Sequence, residues 1–257
     1  MRIRWVIDDE ELKILQSFME SQRNHPLVKR RIQKNVDIEY VPDVGRGRIW
    51  FVVLTCLLST QQRSGANSPL FQFCSQEPFP LAYKECLSNK QNLGSFVEET
   101  LTEFRGIRRA RTIGLQAEKN FVWVNEDWNK TKEIVDELSM LRKQNPDVEH
   151  VRIERKAAHF IQDNFLGFGP KQSRNFWQTL GLTRFEIPID SRITKWLNKN
   201  GFPVELSATT LSDINYYEFV MTGLQEICMK CDVLPCIFDA AVFASYEKEW
   251  PEDEDVW

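Results

Sequence analysis

Residues 165–177 read FLGFGPKQSRNFW and carry the strongest local punctuation in the chain. Gly167 and Gly169 stand one residue apart, Pro170 follows, and Lys171 opens the next regular segment. Upstream, VRIERKAAHFIQDNF sets Ile153, Ala157, Phe160, Ile161 and Phe165 along one stripe at helical spacing. Glycines permit backbone angles that other residues resist, so the pair breaks that helix. Proline suits the first turn of a new one, where its missing N–H is no loss. Downstream, Ser173, Phe176, Trp177 and Leu180 share one face, and Lys171, Asn175 and Gln178 share the opposite face. Gly181 is the helix stop. The stretch predicts two helices joined by a tight turn, with Lys171 off the packing face.

Such a hairpin is an anion site, because free backbone N–H groups and the positive end of the helix dipole point at whatever docks there. A nucleic-acid phosphate fits it; so does the plainer reading, an ordinary turn between two helices with a solvent-facing lysine. A dinucleotide-binding fingerprint is excluded because a helix, not a strand, precedes the glycines. A P-loop is excluded for want of its second glycine and its Lys-Ser/Thr pair.

On either side of the hairpin the pattern is helical almost throughout. DDEELKILQSFMESQ carries Leu12, Leu15 and Phe18 at helical spacing, and GRIWFVVLTCLLSTQQ is apolar nearly all round, as a core helix would be. Short and medium helices follow through residue 144, separated by Pro, Gly, Ser and Asn. VDIEYV near 36–41 is the single stretch that suggests a strand. Beyond the hairpin, PIDSRITKWLNKNG has Ile193, Trp196 and Leu197 on a helix that stops at Gly201, and Asp190 stands at its N-cap position. The last helix, CIFDAAVFASYEK, sets Asp239 and Phe243 one turn apart on one face. The fold class is mainly α.

Composition narrows the setting. The net charge of −4 argues against a protein that coats nucleic acid indiscriminately, but FRGIRRAR (104–111) and RIERK (152–156) are local basic clusters, and four acids sit in the closing PEDEDVW. No apolar run approaches the roughly 20 residues of a membrane span, and the acidic start does not read as a signal peptide. The six cysteines lack disulfide-scaffold spacing, so reduced thiols and the cytoplasm are expected.

The run LGFGPKQSRNFWQTLG followed by PIDSRITKWL resembles the signature of the helix-hairpin-helix, Gly/Pro-Asp superfamily of base-excision DNA glycosylases. That family pairs a lysine just after the hairpin with an aspartate about nineteen residues on, as Lys171 and Asp190 are here. Gly167, Gly169, Lys171, Phe176 and Gly181 most resemble the second archaeal and bacterial subfamily of 8-oxoguanine DNA glycosylases, and FRGIRRARTI, LLSTQQ and LPCIFDAAVF support that likeness. The resemblance spans about residues 48–246. Two departures stand out: Phe243 occupies the place of the subfamily's tryptophan, and the chain runs on to EKEWPEDEDVW where the subfamily ends in a base-contacting lysine.

The resemblance implies two helical lobes with the active-site cleft between them. Residues 46–185 would form a helical barrel ending in the helix-hairpin-helix (about 151–181), and 1–45 plus 186–257 the second lobe. It implies excision of an oxidised purine, 8-oxoguanine foremost, with AP lyase activity, Lys171 as nucleophile and Asp190 as the carboxylate that steadies the cationic sugar. Gly167, Gly169, Gln61, Arg108 and Arg109 would contact DNA. Asn175, Asp239 and Phe243 would read the base. The partner would be damaged double-stranded DNA, bound by a monomer that, in a prokaryote, is cytoplasmic and nucleoid-associated, with no membrane involvement.

The chemistry asks for these residue types. A neutral amine can attack C1′, hold the sugar as a Schiff base and permit β-elimination of the 3′ phosphate, while a carboxylate shuttles protons. Desolvation or a positive potential favours that neutral amine. Taken singly, each residue has a plainer reading: a phosphate-binding Lys171, a capping Asp190, a core Phe243, and a helix-end cap at Gln61 or Gln62. Some members of the superfamily carry an iron–sulfur cluster. Here Cys228, Cys231 and Cys236 lack the fourth cysteine, whose position is taken by Met221, so neither a cluster nor another metal is expected. A monovalent cation at the hairpin is compatible with the pattern. A glycosylase for an oxidised pyrimidine, a non-catalytic hairpin DNA-binding protein and a protein-interaction domain are the alternatives.

Overall fold

The computed structural model describes residues 4–62, 64–65, 67–247 and 250. The acidic stretch 251–257 lies outside them. Thirteen α-helices and no strand occur among the described residues. They are α1 (Asp9–Gln22), α2 (Pro26–Arg31), α3 (Arg46–Leu58), α4 (Pro69–Cys74), α5 (Tyr83–Ser88), α6 (Leu93–Phe104), α7 (Ala110–Asn125), α8 (Trp128–Leu141), α9 (Val148–Asn164), α10 (Pro170–Thr179), α11 (Ser191–Lys199), α12 (Ile214–Lys230) and α13 (Pro235–Tyr246). No helix among the described residues is long and apolar enough to cross a membrane.

Local sequence starts these helices where capping chemistry allows. Asp8 caps α1 and Asp147 caps α9 through side-chain bonds to backbone N–H groups, and Pro26, Pro69, Pro170 and Pro235 occupy first-turn positions. One hydrophobic core gathers residues from Ile49 to Leu182, around α3, whose side chains are buried from Ile49 onward save the half-buried Phe51. A second joins Leu15 to residues from Ile187 to Val242, and a small third couples α2 to α13. The close approach of α6 and α7 depends on glycine: a Cβ on Gly114 would lie 2.4 Å from the Gly94 carbonyl oxygen.

The chain passes from the first core to the second through residues 183–186, and a buried carboxylate holds that crossing. Glu154 accepts the backbone N–H groups of Arg184 (2.8 Å), Phe185 (2.7 Å) and Glu186 (2.9 Å). Burial pushes its carboxyl up to about 7 against the pull of those three donors.

The stretch VDIEYV is not a strand. Residues 32–36 form a π-helical turn that extends α2, and the buried Arg142 guanidinium takes the carbonyls of Lys34 (2.9 Å), Asp37 and Tyr40 (2.6 Å). Acceptors that a neighbouring strand would have used are satisfied by one side chain instead. Arg184 extends the staple by donating to Asn35 O at 3.1 Å.

Candidate active site

The hairpin is the α9–α10 pair. Asn120 of α7 grips its turn by accepting Leu166 N–H (2.7 Å) and donating to Leu166 O (3.0 Å). Trp177 Nε1 donates across the pair to Ala157 O at 2.8 Å. The two glycines differ in kind. Gly167 has φ +89°, and a Cβ there would meet the Gln116 side-chain amide at 2.5 Å, so both backbone and packing require glycine. Gly169 has φ −87° and nothing within 4 Å of a Cβ position. Nothing inside the protein demands a glycine there; the space a Cβ would occupy is open.

A cleft beside the hairpin collects Lys171, Asn175 and Gln178 from α10, Asp190 and Arg192 from the start of α11, and Asp239 and Phe243 from α13. Arg30, Arg31, Lys34 and Asn35 close another side. Lys171 is half-buried, and its Nζ donates to Gln172 Oε1 at 3.4 Å. Asp190 caps α11, with Oδ1 accepting the N–H groups of Arg192 (2.8 Å) and Ile193 (3.2 Å). Its other oxygen takes the Arg192 guanidinium at 2.6 Å. That guanidinium also lies 4.0 Å from the centroid of the Phe243 ring, a cation–π contact in the cleft.

Asp239 sits deeper, receiving Gln178 Nε2 at 3.1 Å and facing Arg31 at 3.5 Å. Burial pushes its carboxyl up to about 6, with Arg31 pulling the other way and Asp190 adding to the rise. Near neutrality this group can hold or yield a proton. Gln178 Oε1 is buried without a hydrogen-bond partner among the described residues, an acceptor at the cleft wall. Cys56, beneath Asn175, remains a thiol because burial raises it to about 12.

Five of the expected residues thus share one cleft: Lys171, Asp190, Asn175, Asp239 and Phe243. The other five do not line it. Gly167 and Gly169 form the hairpin turn, while Gln61, Arg108 and Arg109 belong to two loops tied to each other. Arg108 N–H donates to Gln62 Oε1 at 2.8 Å, and Arg109 reaches Thr60 O at 3.4 Å. Gln61, Arg105 and Arg109 all hold positive φ, a cost of about 1–3 kcal/mol each that the surroundings must sustain. Among the described residues no group of three or more His, Cys, Asp or Glu side chains is arranged to hold a metal ion. Burial raises the thiols of Cys228, Cys231 and Cys236.

Sequence reasoning missed Arg31, Lys34 and Arg192, and placed Gln178 on the right face without its partner. Arg31 and Lys34 ride on HPLVKRRIQK, where His25 and Pro26 are a helix-start signal. Arg192 could have been found as the residue two positions past the Asp190 cap, on the first turn of the helix that this cap starts.

No protein-family model matches the sequence. No curated protein matches it significantly. Solved structures do match. The 8-oxoguanine DNA glycosylase of Methanocaldococcus jannaschii superposes with a TM-score of 0.66 over 94% of this chain and 97% of its own, at 16% identity. The 8-oxoguanine glycosylase/lyase of that organism, in complex with a 15mer DNA containing 8-oxoguanine, gives 0.65 over 90% and 96%, at 17% identity. The 8-oxoguanine DNA glycosylase of Thermotoga maritima gives 0.65 over 93% and 98%, at 16% identity. Over nearly its whole length, this chain has the fold of these glycosylases.

Proposed function

We propose that this protein is a base-excision DNA glycosylase with AP lyase activity that removes an oxidised purine, 8-oxoguanine foremost. The observation that carries the reading is the convergence of Lys171, Asp190, Asn175, Asp239 and Phe243 in one cleft beside the hairpin. The fold shared with 8-oxoguanine glycosylases, one of them bound to DNA containing that lesion, supports it.

In this reading the α10 N-terminus and the open face at Gly169 receive a phosphate of a damaged duplex. The lesion leaves the stack and enters the cleft, where Phe243 offers an aromatic face and Asn175 and Asp239 offer polar contacts. Lys171 Nζ attacks C1′ as the glycosidic bond breaks and the base departs with its electron pair. Asp190 steadies the cationic sugar and carries the proton that the base needs. The sugar held as a Schiff base then loses its 3′ phosphate by β-elimination. Residues 46–185 act as one lobe and the remainder as the other, and the protein works as a monomer on damaged duplex DNA.

Duplexes containing 8-oxoguanine, thymine glycol or an abasic site test this directly. Release of free 8-oxoguanine with a β-elimination nick is the expected result. Release of thymine glycol alone would reassign the lesion to an oxidised pyrimidine. Binding without release or nicking of any duplex would leave a non-catalytic DNA-binding protein.

A further inference from the structure

Gln172 follows the candidate nucleophile and is buried, although its neighbours Lys171 and Asn175 face the cleft. Its Nε2 lies within hydrogen-bonding distance of three oxygens at the end of α3: Cys56 O (2.7 Å), Thr60 Oγ1 (2.8 Å) and Ser59 Oγ (3.1 Å). Both hydroxyls donate to Cys56 O at 3.1 Å, so toward Gln172 they present lone pairs. Rotating the amide by half a turn would press Oε1 against a carbonyl oxygen and two hydroxyl oxygens. The hydrogen-bond network therefore fixes which end is which. Oε1 faces the other way, toward Lys171 Nζ at 3.4 Å.

We propose that Gln172 is a positioning residue for the reacting amine: its locked amide carbonyl takes one N–H of Lys171 and aims the nitrogen lone pair at C1′. The inference rests on the glycosylase/lyase reading above. A neutral amine carries two N–H bonds and one lone pair. When Nζ–C1′ forms and C1′–N breaks, the base leaves with the electron pair and takes one proton from nitrogen by way of Asp190. The nitrogen pair then expels O4′, which becomes a hydroxyl with a proton from solvent, and C1′=Nζ forms carrying positive charge. One N–H remains on that nitrogen, and Gln172 Oε1 is its acceptor. A fixed dipole at a place where positive charge develops stabilises the step without reorganising.

The charged and titratable groups around this amine are Cys56 of α3 and Asp239 of α13, which interact with its charge, and Arg30, Arg31, Lys34, Asp190 and Arg192, which line the same cleft. All of them stay in place in the variants below, so a change in pH dependence reports position 172 itself.

Borohydride trapping on a duplex carrying an abasic site is the test, because it bypasses base recognition. Gln172→Met should slow adduct formation roughly tenfold, the loss expected for one hydrogen bond to a charged centre, with duplex binding unchanged. Gln172→Glu places a carboxylate beside the amine, so the pH of half-maximal trapping should rise by about one unit. Ser59→Ala/Thr60→Val leaves the Gln172 amide held by Cys56 O alone, which loosens it, and should slow trapping severalfold with an unchanged midpoint. Wild-type rates and a wild-type pH profile in all three would overturn the proposal while leaving the lyase reading intact. Absence of adduct with the wild-type protein would instead sink the lyase reading itself.

Discussion

Gln178 Nε2 donates to Asp239 Oδ2 at 3.1 Å, joining the hairpin helix α10 to α13 at the cleft wall. The bond matters because Asp239 is buried and its carboxyl is raised to about 6. An unfolded aspartate titrates at about 3.9, so between these values the folded state holds the extra proton. Stability therefore falls as pH rises from about 4 to 6 and stays lowered above that.

Asp239→Asn keeps an oxygen for Gln178 and removes the buried charge. At pH 7.5 it should raise stability by up to about 3 kcal/mol, less what Arg31 loses with its partner 3.5 Å away. Below pH 4 the two proteins should melt together, and at every pH the variant should excise 8-oxoguanine more slowly. Thermal melts across pH 4–8 check it; parallel curves would refute the buried-charge account.

The hairpin glycines make a second contrast. Gly167→Ala meets both φ +89° and the Gln116 amide at 2.5 Å, and should cost about 1–3 kcal/mol of stability. Gly169→Ala meets nothing within 4 Å and should cost less than about 1 kcal/mol, the loss of a glycine N-cap, yet bind duplex DNA severalfold more weakly, since a phosphate docking on the α10 N-terminus would meet the added methyl group. Melting and fluorescence anisotropy separate the two; equal DNA affinity in Gly169→Ala would remove the phosphate site from the account.

Arg192 bridges Asp190 at 2.6 Å and the Phe243 ring at 4.0 Å. Lysine can retain the ion pair but lacks the planar face that stacks on the ring. Arg192→Lys should therefore slow single-turnover excision less than Arg192→Ala, for which roughly a tenfold loss is expected from one charge-assisted contact. If both variants excise 8-oxoguanine at the wild-type rate, the guanidinium has no part in the reaction.

Much of this site was legible because it is local. The Gly-x-Gly-Pro punctuation and a period of 3.6 located α9, the turn and α10, and with them the cleft-facing Lys171, Asn175 and Gln178. Asp190 was readable as a cap, and Asp239 and Phe243 as one face of the last helix. What escaped depends on partners far along the chain. VDIEYV has strand-like residues, but Arg142, about a hundred positions later, takes its carbonyls. Arg174 sits among polar residues on a helix, yet it is buried against Glu186 at 2.7 Å and stacks over Tyr217 at 4.7 Å. The six residues of α2 are too few to show a period, so Arg31 and Lys34 reached the cleft unannounced.

In the proposed reaction Lys171 forms the covalent link to the sugar. Borohydride reduction of the wild-type protein on an 8-oxoguanine duplex, followed by protease digestion and mass spectrometry, reads the attachment site directly. One reduced sugar adduct is expected on the peptide bearing Lys171, and none in Lys171→Gln, which should still bind the duplex. An adduct on another residue, or an undiminished adduct in Lys171→Gln, would contradict it.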